Sequence, residues 1–161
     1  MRLFLDTNVF VASLTDEPRQ GDAADALLDR DCEFSASLLN LMELRTVLAK
    51  KNRIEQSTVR EIIADIDGRA EVFHHNTDDL LNANRLRQDT LLYPLERLVL
   101  AAADDMNATL VSFDTELIGA GAVTPENALD SLDPSDDDRS TTARLRHREA
   151  DEGLSTHRGS R

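Results

Sequence analysis

Four acidic side chains occupy positions in this sequence where an unbound carboxylate is costly. Asp6 and Asp114 each follow a short apolar, strand-like run, and Glu43 and Glu96 lie inside apolar helical segments. A charged side chain next to buried apolar residues must be solvated, paired or bound to a cation. If the four carboxylates meet, they cannot all stay ionised without cations. Their positions therefore predict a metal site.

The types of the available ligands indicate which metal this would be. The chain has a single cysteine, Cys32, so it cannot build a thiolate cluster by itself. Ligation by oxygen alone favours Mg²⁺ or Mn²⁺ over Zn²⁺. Asn8 adds an amide side chain close to Asp6 in the sequence, and the helix that follows Asp6 offers free N–H groups to an anion.

Each acid also has a simpler explanation when it is taken alone. An aspartate after a strand most often caps a helix or forms a turn, and Asp114 could cap the short helical segment that follows it. Glu43 lies one helical turn from Leu39, which predicts an apolar rather than a solvated surrounding. It could instead pair with Arg45 or Lys50, or reach the surface.

The segments around these acids alternate between short apolar strands and helical patterns. Four strands are predicted, or five if the last is included: 2–6, 32–36, 71–75, 108–114 and 122–123. Six longer helices are predicted between and after them: 8–14, 21–30, 37–51, 57–67, 77–92 and 94–106. This alternation indicates a parallel sheet with helices on both faces. Ligands of such sheets bind beyond the carboxyl ends of the strands, where Asp6 and Asp114 lie.

Four residues predict where helices begin. Ser37 and Thr77 are expected as N-caps, because their hydroxyl oxygens can accept a hydrogen bond from the first turn. Ser57 begins a loose capping box. Pro94 is expected at the first helical position, where its missing N–H costs nothing.

The charge of the chain is strongly negative. Its 161 residues include 31 acidic and 18 basic side chains, a net charge of −13, and only two of the basic residues are lysines. Dense self-repulsion of this kind is tolerable where salt screens it, so the composition is typical of proteins from halophilic organisms. A generally acidic protein from an ordinary medium is the alternative. Either way, grip on nucleic acid would need metal cations or a local exception, because phosphate affinity usually comes from Lys and Arg.

Apolar residues make up 40 % of the chain, enough for one domain with its own core. No stretch approaches the ~18 consecutive apolar residues of a membrane span, and the start of the chain does not have the pattern of a signal peptide, so we expect a cytoplasmic protein. The apolar pattern stops after Pro125. We therefore expect a folded body at 1–125 and an acidic, disordered tail at 126–161.

Four segments resemble the motifs of the PIN-domain family, the ribonuclease fold of VapC-type toxins. They are, in family order between residues 3 and 117, "FLDTNVF", "LLNLMELRTVL", "LYPLERLVLAAA" and "ATLVSFDTEL". The resemblance implies a Rossmann-like, three-layer α/β/α sandwich with a parallel sheet of four to five strands in the order 3-2-1-4-5. It also implies hydrolysis of RNA phosphodiester bonds that depends on Mg²⁺ or Mn²⁺.

The resemblance also implies roles for individual residues. Asp6, Glu43 and Asp114 match acids of the family, and Asn8 and Ser112 match the polar residues that support its site.

Glu96 departs from the family pattern, because the family usually has aspartate there. The extra methylene moves the carboxylate by about 1.5 Å, which matters to Mg²⁺ because its ligands lie at about 2.0–2.1 Å in near-octahedral geometry.

The working hypothesis is a metal-dependent endoribonuclease, the toxin of a VapBC-type pair. Asp6, Glu96 and Asp114 are expected to hold the cation, and Glu43 to complete the site or orient the attacking water. Expected partners are RNA, an antitoxin whose segment blocks the acidic crevice, and a second copy of the chain. The alternative is a catalytically weakened PIN domain that binds RNA or a protein. A different nuclease role, such as RNA processing or DNA cleavage, ranks last.

Overall fold

The sheet has four parallel strands, in which the third, second, first and fourth strands of the chain lie side by side in that order, as the resemblance implies. The computed structural model describes residues 1–15, 18–86 and 92–133. Its strands are β1 (Arg2–Leu5), β2 (Glu33–Ser37), β3 (Ala70–Phe73) and β4 (Thr109–Val111). Phe4 pairs with Ser35 of β2 on one side and with Leu110 of β4 on the other. β1 is therefore a central strand, and the carboxyl ends of β1 and β4 are neighbours.

The predicted fifth strand is reduced to one bridge. Val123 pairs in parallel with Val111. Its N–H donates to Leu110 O at 2.9 Å, and its carbonyl accepts from Ser112 N at 2.9 Å. This pairing continues the sheet beyond β4, on the side where a fifth strand was expected.

Eight α-helices connect and flank the strands in the described residues. They are α1 (Thr7–Leu14), α2 (Gln20–Leu28), α3 (Leu38–Thr46), α4 (Gln56–Arg69), α5 (Thr77–Leu86), α6 (Pro94–Asp105), α7 (Thr115–Gly119) and α8 (Pro125–Leu132). The predicted helix 37–51 is divided, because its last part, Val47–Lys51, is a π-helical turn. The predicted helix 77–92 is described as far as Leu86, and residues 87–91 lie outside the described residues.

Two of the four predicted helix starts are confirmed. Ser37 caps α3 in a capping box with Asn40, and Pro94 opens α6. The prediction for Thr77 is wrong by one residue: Asn76 Oδ1 accepts from the N–H groups of the next two aspartates, at 2.7 and 3.2 Å. The prediction for Ser57 is also wrong, since α4 begins at Gln56 with no side-chain cap.

The core lies on both faces of β1. Leu3, Phe4 and Leu5 are consecutive and fully buried, so neither face of this strand is solvated. A strand buried on both faces is the mark of a sheet sandwiched between helical layers. Phe4 packs in one cluster with residues of α6 and β4, among them Val99 and Leu110. This packing positions the middle of α6 relative to β1.

The body extends beyond the predicted boundary at residue 125. Residues 125–132 form α8, so the first part of the predicted tail is helical rather than disordered, and residues 134–161 lie outside the described residues. Residues Met1–Leu129 form one compact unit. In the described part of the chain, no helix has the length and apolar character needed to span a membrane.

Candidate active site

Asp6 caps the helix that follows it and also faces the end of β4. Its Oδ1 accepts from the Thr7 N–H at 2.8 Å, and its Oδ2 accepts from the Ser112 hydroxyl at 2.7 Å. The simpler explanation of Asp6 as a helix cap is therefore correct. It does not exclude the functional one, since each carboxylate oxygen can accept two hydrogen bonds.

Ser112 and Asn8 tie the ends of β1 and β4 together. The Asn8 amide nitrogen donates to Ser112 Oγ at 3.0 Å, and its oxygen accepts from the Phe113 N–H at 3.1 Å. Ser112 Oγ also accepts from the Asp114 N–H at 3.0 Å. Ser112 is fully buried. We expected both residues to support the site, and the structure places them between Asp6 and Asp114.

Asp114 is the N-cap of α7, in line with the simpler explanation of this residue. Its Oδ1 accepts from the N–H groups of Glu116 and Leu117, at 2.8 and 3.0 Å. One oxygen thus satisfies the helix start, and the other has no protein hydrogen-bond partner among residues 1–15, 18–86 and 92–133.

Glu43 is held by a hydroxyl from the neighbouring helix. Thr7 Oγ donates to Glu43 Oε2 at 2.8 Å, which links α3 to the start of α1. The prediction that Glu43 lies in an apolar surrounding is wrong, because the residue is exposed. Its partner is Thr7 rather than the Arg45 or Lys50 that its sequence neighbours suggested.

Glu96 is bound at the start of its own helix. Its Oε2 accepts from the Tyr93 N–H at 2.8 Å, three residues back, and the residue is half-buried. The longer glutamate side chain can fold back in this way while it stays on the crevice wall.

All four acids line one crevice of about 780 Å³, at the carboxyl ends of β1 and β4. Asn8 lines the same crevice, and Lys51 contributes its only basic side chain among the described residues. The sequence therefore predicted correctly that acids from two strand ends and two helices share one surface.

Burial makes the charge on Asp6 unfavourable. Desolvation raises the pKa of the Asp6 carboxyl above its usual range, and the negative charges of Glu43 and Asp114 raise it further. Hydrogen bonds from Ser112 and Thr7 act in the opposite direction without cancelling the effect. A cation in the crevice would relieve this repulsion.

A comparison with protein families agrees with the fold. The family model of the PIN domain matches residues 3–122, three quarters of the chain. The chain belongs to the PIN-domain family. No curated protein matches this PIN domain by sequence.

Solved structures share the fold of this PIN domain over nearly their whole length. A toxin–antitoxin complex from Klebsiella pneumoniae is 27 % identical, with a TM-score of 0.59, and the match covers 76 % of this chain and 97 % of that one. VapC20 from Mycobacterium tuberculosis, a toxin that cleaves the sarcin–ricin loop, is 19 % identical with a TM-score of 0.63, covering 75 % and 96 %. VapBC2 from Rickettsia felis, bound to promoter DNA, is 19 % identical with a TM-score of 0.56, covering 77 % and 97 %.

The carboxylates of this PIN domain share a crevice but do not form a closed ligand set. Over the described residues, no three side chains of Asp, Glu, His or Cys are close enough to hold a metal ion as they stand. The prediction that the four carboxylates converge on one point is therefore wrong. Hydrogen bonds at the starts of α6 and α7 hold the carboxylates of Glu96 and Asp114. Repulsion between the negative charges of the carboxylates opposes a closer approach. By donor type and charge the set still fits a hard divalent cation.

Two polar residues of the site escaped the sequence analysis. Asn40 is 2 % exposed; its amide nitrogen lies 3.2 Å from both Asp6 Oδ1 and Thr7 Oγ, and its oxygen caps the start of α3. Thr7 links Asp6 to Glu43. The spacing of Ser37 and Asn40, three residues apart before an apolar helix, was a signal for the capping role of Asn40. The contacts of both residues with Asp6 depend on tertiary structure.

Proposed function

We propose that this PIN domain is a metal-dependent endoribonuclease that acts as the toxin of a toxin–antitoxin pair. One observation carries the proposal: the carboxylates of Asp6 and Asp114, at adjacent strand ends, line a single crevice with those of Glu43 and Glu96. The similarity to solved VapC and toxin–antitoxin structures supports the same function.

In this proposal Asp6, Glu96 and Asp114 hold Mg²⁺ or Mn²⁺. The ion would supply two effects, a lower pKa of a bound water and stabilisation of charge on the phosphate in the transition state. Ser112 and Asn8 keep Asp6 and Asp114 in place by the bonds described above. Glu43 accepts one hydrogen bond from Thr7 and keeps its second oxygen to orient the attacking water.

An antitoxin and a second copy of the chain are the proposed protein partners. Complexes of related fold contain an antitoxin, as in the Klebsiella pneumoniae structure. Large apolar side chains on α3, α5 and α6 are exposed and would suit a protein interface: Leu38, Met42, Leu80, Leu81 and Leu95.

The direct test is cleavage of RNA by the full chain with Mg²⁺ or Mn²⁺, compared with the variant Asp6→Asn. Loss of a metal ligand should cost more than the 10- to 100-fold that is typical of residues behind the ligands, so we expect a loss of more than about 100-fold. Assays at low and high salt also test the proposal that the acidic chain works in a salt-rich medium. Equal cleavage by both proteins, or none with either metal, would contradict the proposed activity.

The second candidate is a PIN domain that binds RNA or a protein without cutting it. Two observations favour it: Glu96 stands where the family has aspartate, and the carboxylates do not form a closed set in the described residues. The variant Glu96→Asp separates the two candidates. A large gain of activity over a wild type that barely cleaves would indicate a weakened site. RNA binding without cleavage by either protein would favour the binding module.

A further inference from the structure

The acidic crevice lacks the electrostatic grip that most RNA-binding sites use. Among the described residues, its lining has four carboxylates and one ammonium, so the formal charge of this part of the lining is −3. One divalent cation brings this to −1, and the whole chain carries −13. Nucleic-acid affinity that rests on phosphate contacts needs a surplus of Lys and Arg. Any RNA that binds in this crevice must be held mainly by interactions other than contacts of Lys and Arg with phosphate.

Exposed aromatic and apolar side chains at the edge of the crevice could bind the nucleobases instead. Tyr93, Leu95 and Met42 line the crevice and are 69 %, 62 % and 59 % exposed. Tyr93 is the only tyrosine of the chain. An aromatic ring can stack on any nucleobase that is not already paired and stacked.

The backbone of Tyr93 is fixed beside a proposed metal ligand. Its N–H donates to Glu96 Oε2, and the following Pro94 holds it in the extended region, with φ −64° and ψ 157°. Pro94 restricts the Tyr93 backbone whether or not Glu96 keeps this bond, which lowers the backbone entropy that stacking would cost.

Lys51 is brought to the same crevice by an unusual backbone. It ends the π-helical turn Val47–Lys51, which is closed by the Asn52 N–H donating to Val47 O at 3.2 Å. π-Helical turns are rare and are frequent at functional sites. The neighbouring Lys50, equally exposed, does not line the crevice.

We propose that Tyr93 and Lys51 form a clamp for single-stranded RNA. The Tyr93 ring stacks on one unpaired base beside the phosphate to be cleaved, and the Lys51 ammonium binds one neighbouring phosphate. The clamp rests on the proposed ribonuclease function and names its substrate as RNA with an unpaired nucleotide at the cleavage site. Stacking is little affected by salt, so such a clamp still works where ionic contacts are screened.

Fluorescence anisotropy of the full chain with a labelled short RNA, single-stranded or duplex, tests the clamp. Ca²⁺ replaces Mn²⁺, and a gel confirms that the RNA stays intact. We expect preference for the single strand. Tyr93→Ala and Tyr93→Leu should each lose about 5- to 150-fold in affinity, the range that corresponds to stacking of one base, and Tyr93→Phe should bind like the wild type.

Salt dependence tests the lysine, with Lys50→Ala as the matched control. A single phosphate contact predicts a slope of log K against log salt near −0.7 for single strands. Lys51→Ala should bring the slope close to zero, and Lys50→Ala should leave it unchanged.

Several results would overturn the clamp. They are wild-type affinity in Tyr93→Ala or Tyr93→Leu, equal slopes for the two lysine variants, or a changed oligomeric state of Tyr93→Ala in place of changed RNA binding. If the wild type nevertheless cleaves RNA and Asp6→Asn does not, the clamp alone has failed. A wild type that neither binds nor cleaves RNA contradicts the clamp and the ribonuclease together.

Discussion

The two walls of the crevice differ in how firmly hydrogen bonds hold their side chains. The strand wall (Asp6, Asn8, Ser112 and Asp114) is a continuous network of hydrogen bonds around one fully buried hydroxyl. The helix wall (Tyr93, Leu95 and Glu96) has two largely exposed members, and within the described residues its acid accepts a single hydrogen bond, from the start of its own helix. The strand wall is preorganised, and the side chain of the acid on the helix wall is freer to adjust.

This difference explains how glutamate can occupy a position where the family has aspartate. A rigid wall would not tolerate a carboxylate displaced by about 1.5 Å. The Glu96 side chain, which accepts one hydrogen bond from the described residues, can extend or fold back by a change of rotamer. In the proposed function, the helix wall would bring Glu96 to the cation and so complete the ligand set.

Apart from the loss of cleavage expected for Asp6→Asn, the largest effect is expected from the hydroxyl at the centre of the strand wall. Ser112→Ala removes the donor to Asp6 and the acceptor for Asn8 and for the Asp114 N–H. We expect a 10- to 100-fold loss of RNA cleavage and about 1–3 kcal/mol of lost stability, by denaturant unfolding. Ser35→Ala is the matched control, since Ser35 is also fully buried but bonds to Leu3 O away from the crevice. Equal activity losses in both would remove the distinction between the walls.

The variant Asp6→Asn separates two effects of the Asp6 charge: its cost to stability and its proposed role in metal binding. Without metal the variant should unfold at a higher temperature than the wild type at neutral pH. The folded-state pKa of Asp6 is raised, so the stability this group confers is complete below its unfolded pKa and is lost as the pH rises through the folded one. Asparagine still caps the helix.

With Mn²⁺ at 100 times its Kd the wild type should gain about 2.7 kcal/mol, a gain that Asp6→Asn should lose. Equal metal-induced shifts of the two melting temperatures would show that the ion binds elsewhere.

A smaller effect is expected from the helix wall. Glu96→Gln removes the charge, but its amide oxygen still accepts from the Tyr93 N–H, so the start of α6 should persist. Because its carboxylate is displaced from the position of the family aspartate, we expect Glu96 to contribute less to cation binding than Asp6, and its loss to lower cleavage only about 10-fold. Stability should stay within ±0.5 kcal/mol of the wild type; single-turnover kinetics and thermal melting measure the two effects. Glu126→Gln, in the first turn of α8, serves as a control outside the crevice. A strongly destabilised Glu96→Gln would mean that this wall is as rigid as the other.

The smallest effect should come from a titratable group outside both walls. His75, after β3, has no hydrogen-bond partner on either ring nitrogen within the described residues, and its ring meets that of Phe73 edge to face at 5.0 Å. Desolvation lowers the pKa of His75, although the charge of Asp79 opposes this. The fold therefore favours the neutral ring, and stability should fall as the pH drops below about 6.5, the usual value for histidine.

His75→Phe keeps an aromatic ring and should reduce this pH dependence in thermal melts, with RNA cleavage per folded molecule unchanged. An unchanged pH profile of stability would show that another group is responsible.

The strand wall was more predictable from sequence than the helix wall, for a physical reason. Asp6 and Asp114 directly follow apolar strands, and a parallel sheet brings such ends together whatever the details of packing. Asn8 and Ser112 could be placed with them by resemblance. The contacts of Thr7 and Asn40 depend on how α1 meets α3, which no local pattern specifies.

Local backbone choices account for the errors. The π-helical turn after α3 changes the path of the chain before α4, and α4 begins at Gln56, so Ser57 lies inside the helix and is not its cap. Glu43 was placed in an apolar surrounding from its helical neighbours, but the crevice opens on that side of α3. α8 escaped prediction because it has few apolar residues.

Anomalous diffraction at the manganese edge, from crystals of the full chain grown with Mn²⁺, tests the metal site most directly. We expect one peak in the crevice, with oxygens of Asp6, Asp114 and Glu96 at coordination distances and the Glu96 side chain moved away from the Tyr93 N–H. A crevice without a peak at saturating Mn²⁺, or a peak bound by other residues, would contradict the proposed metal site.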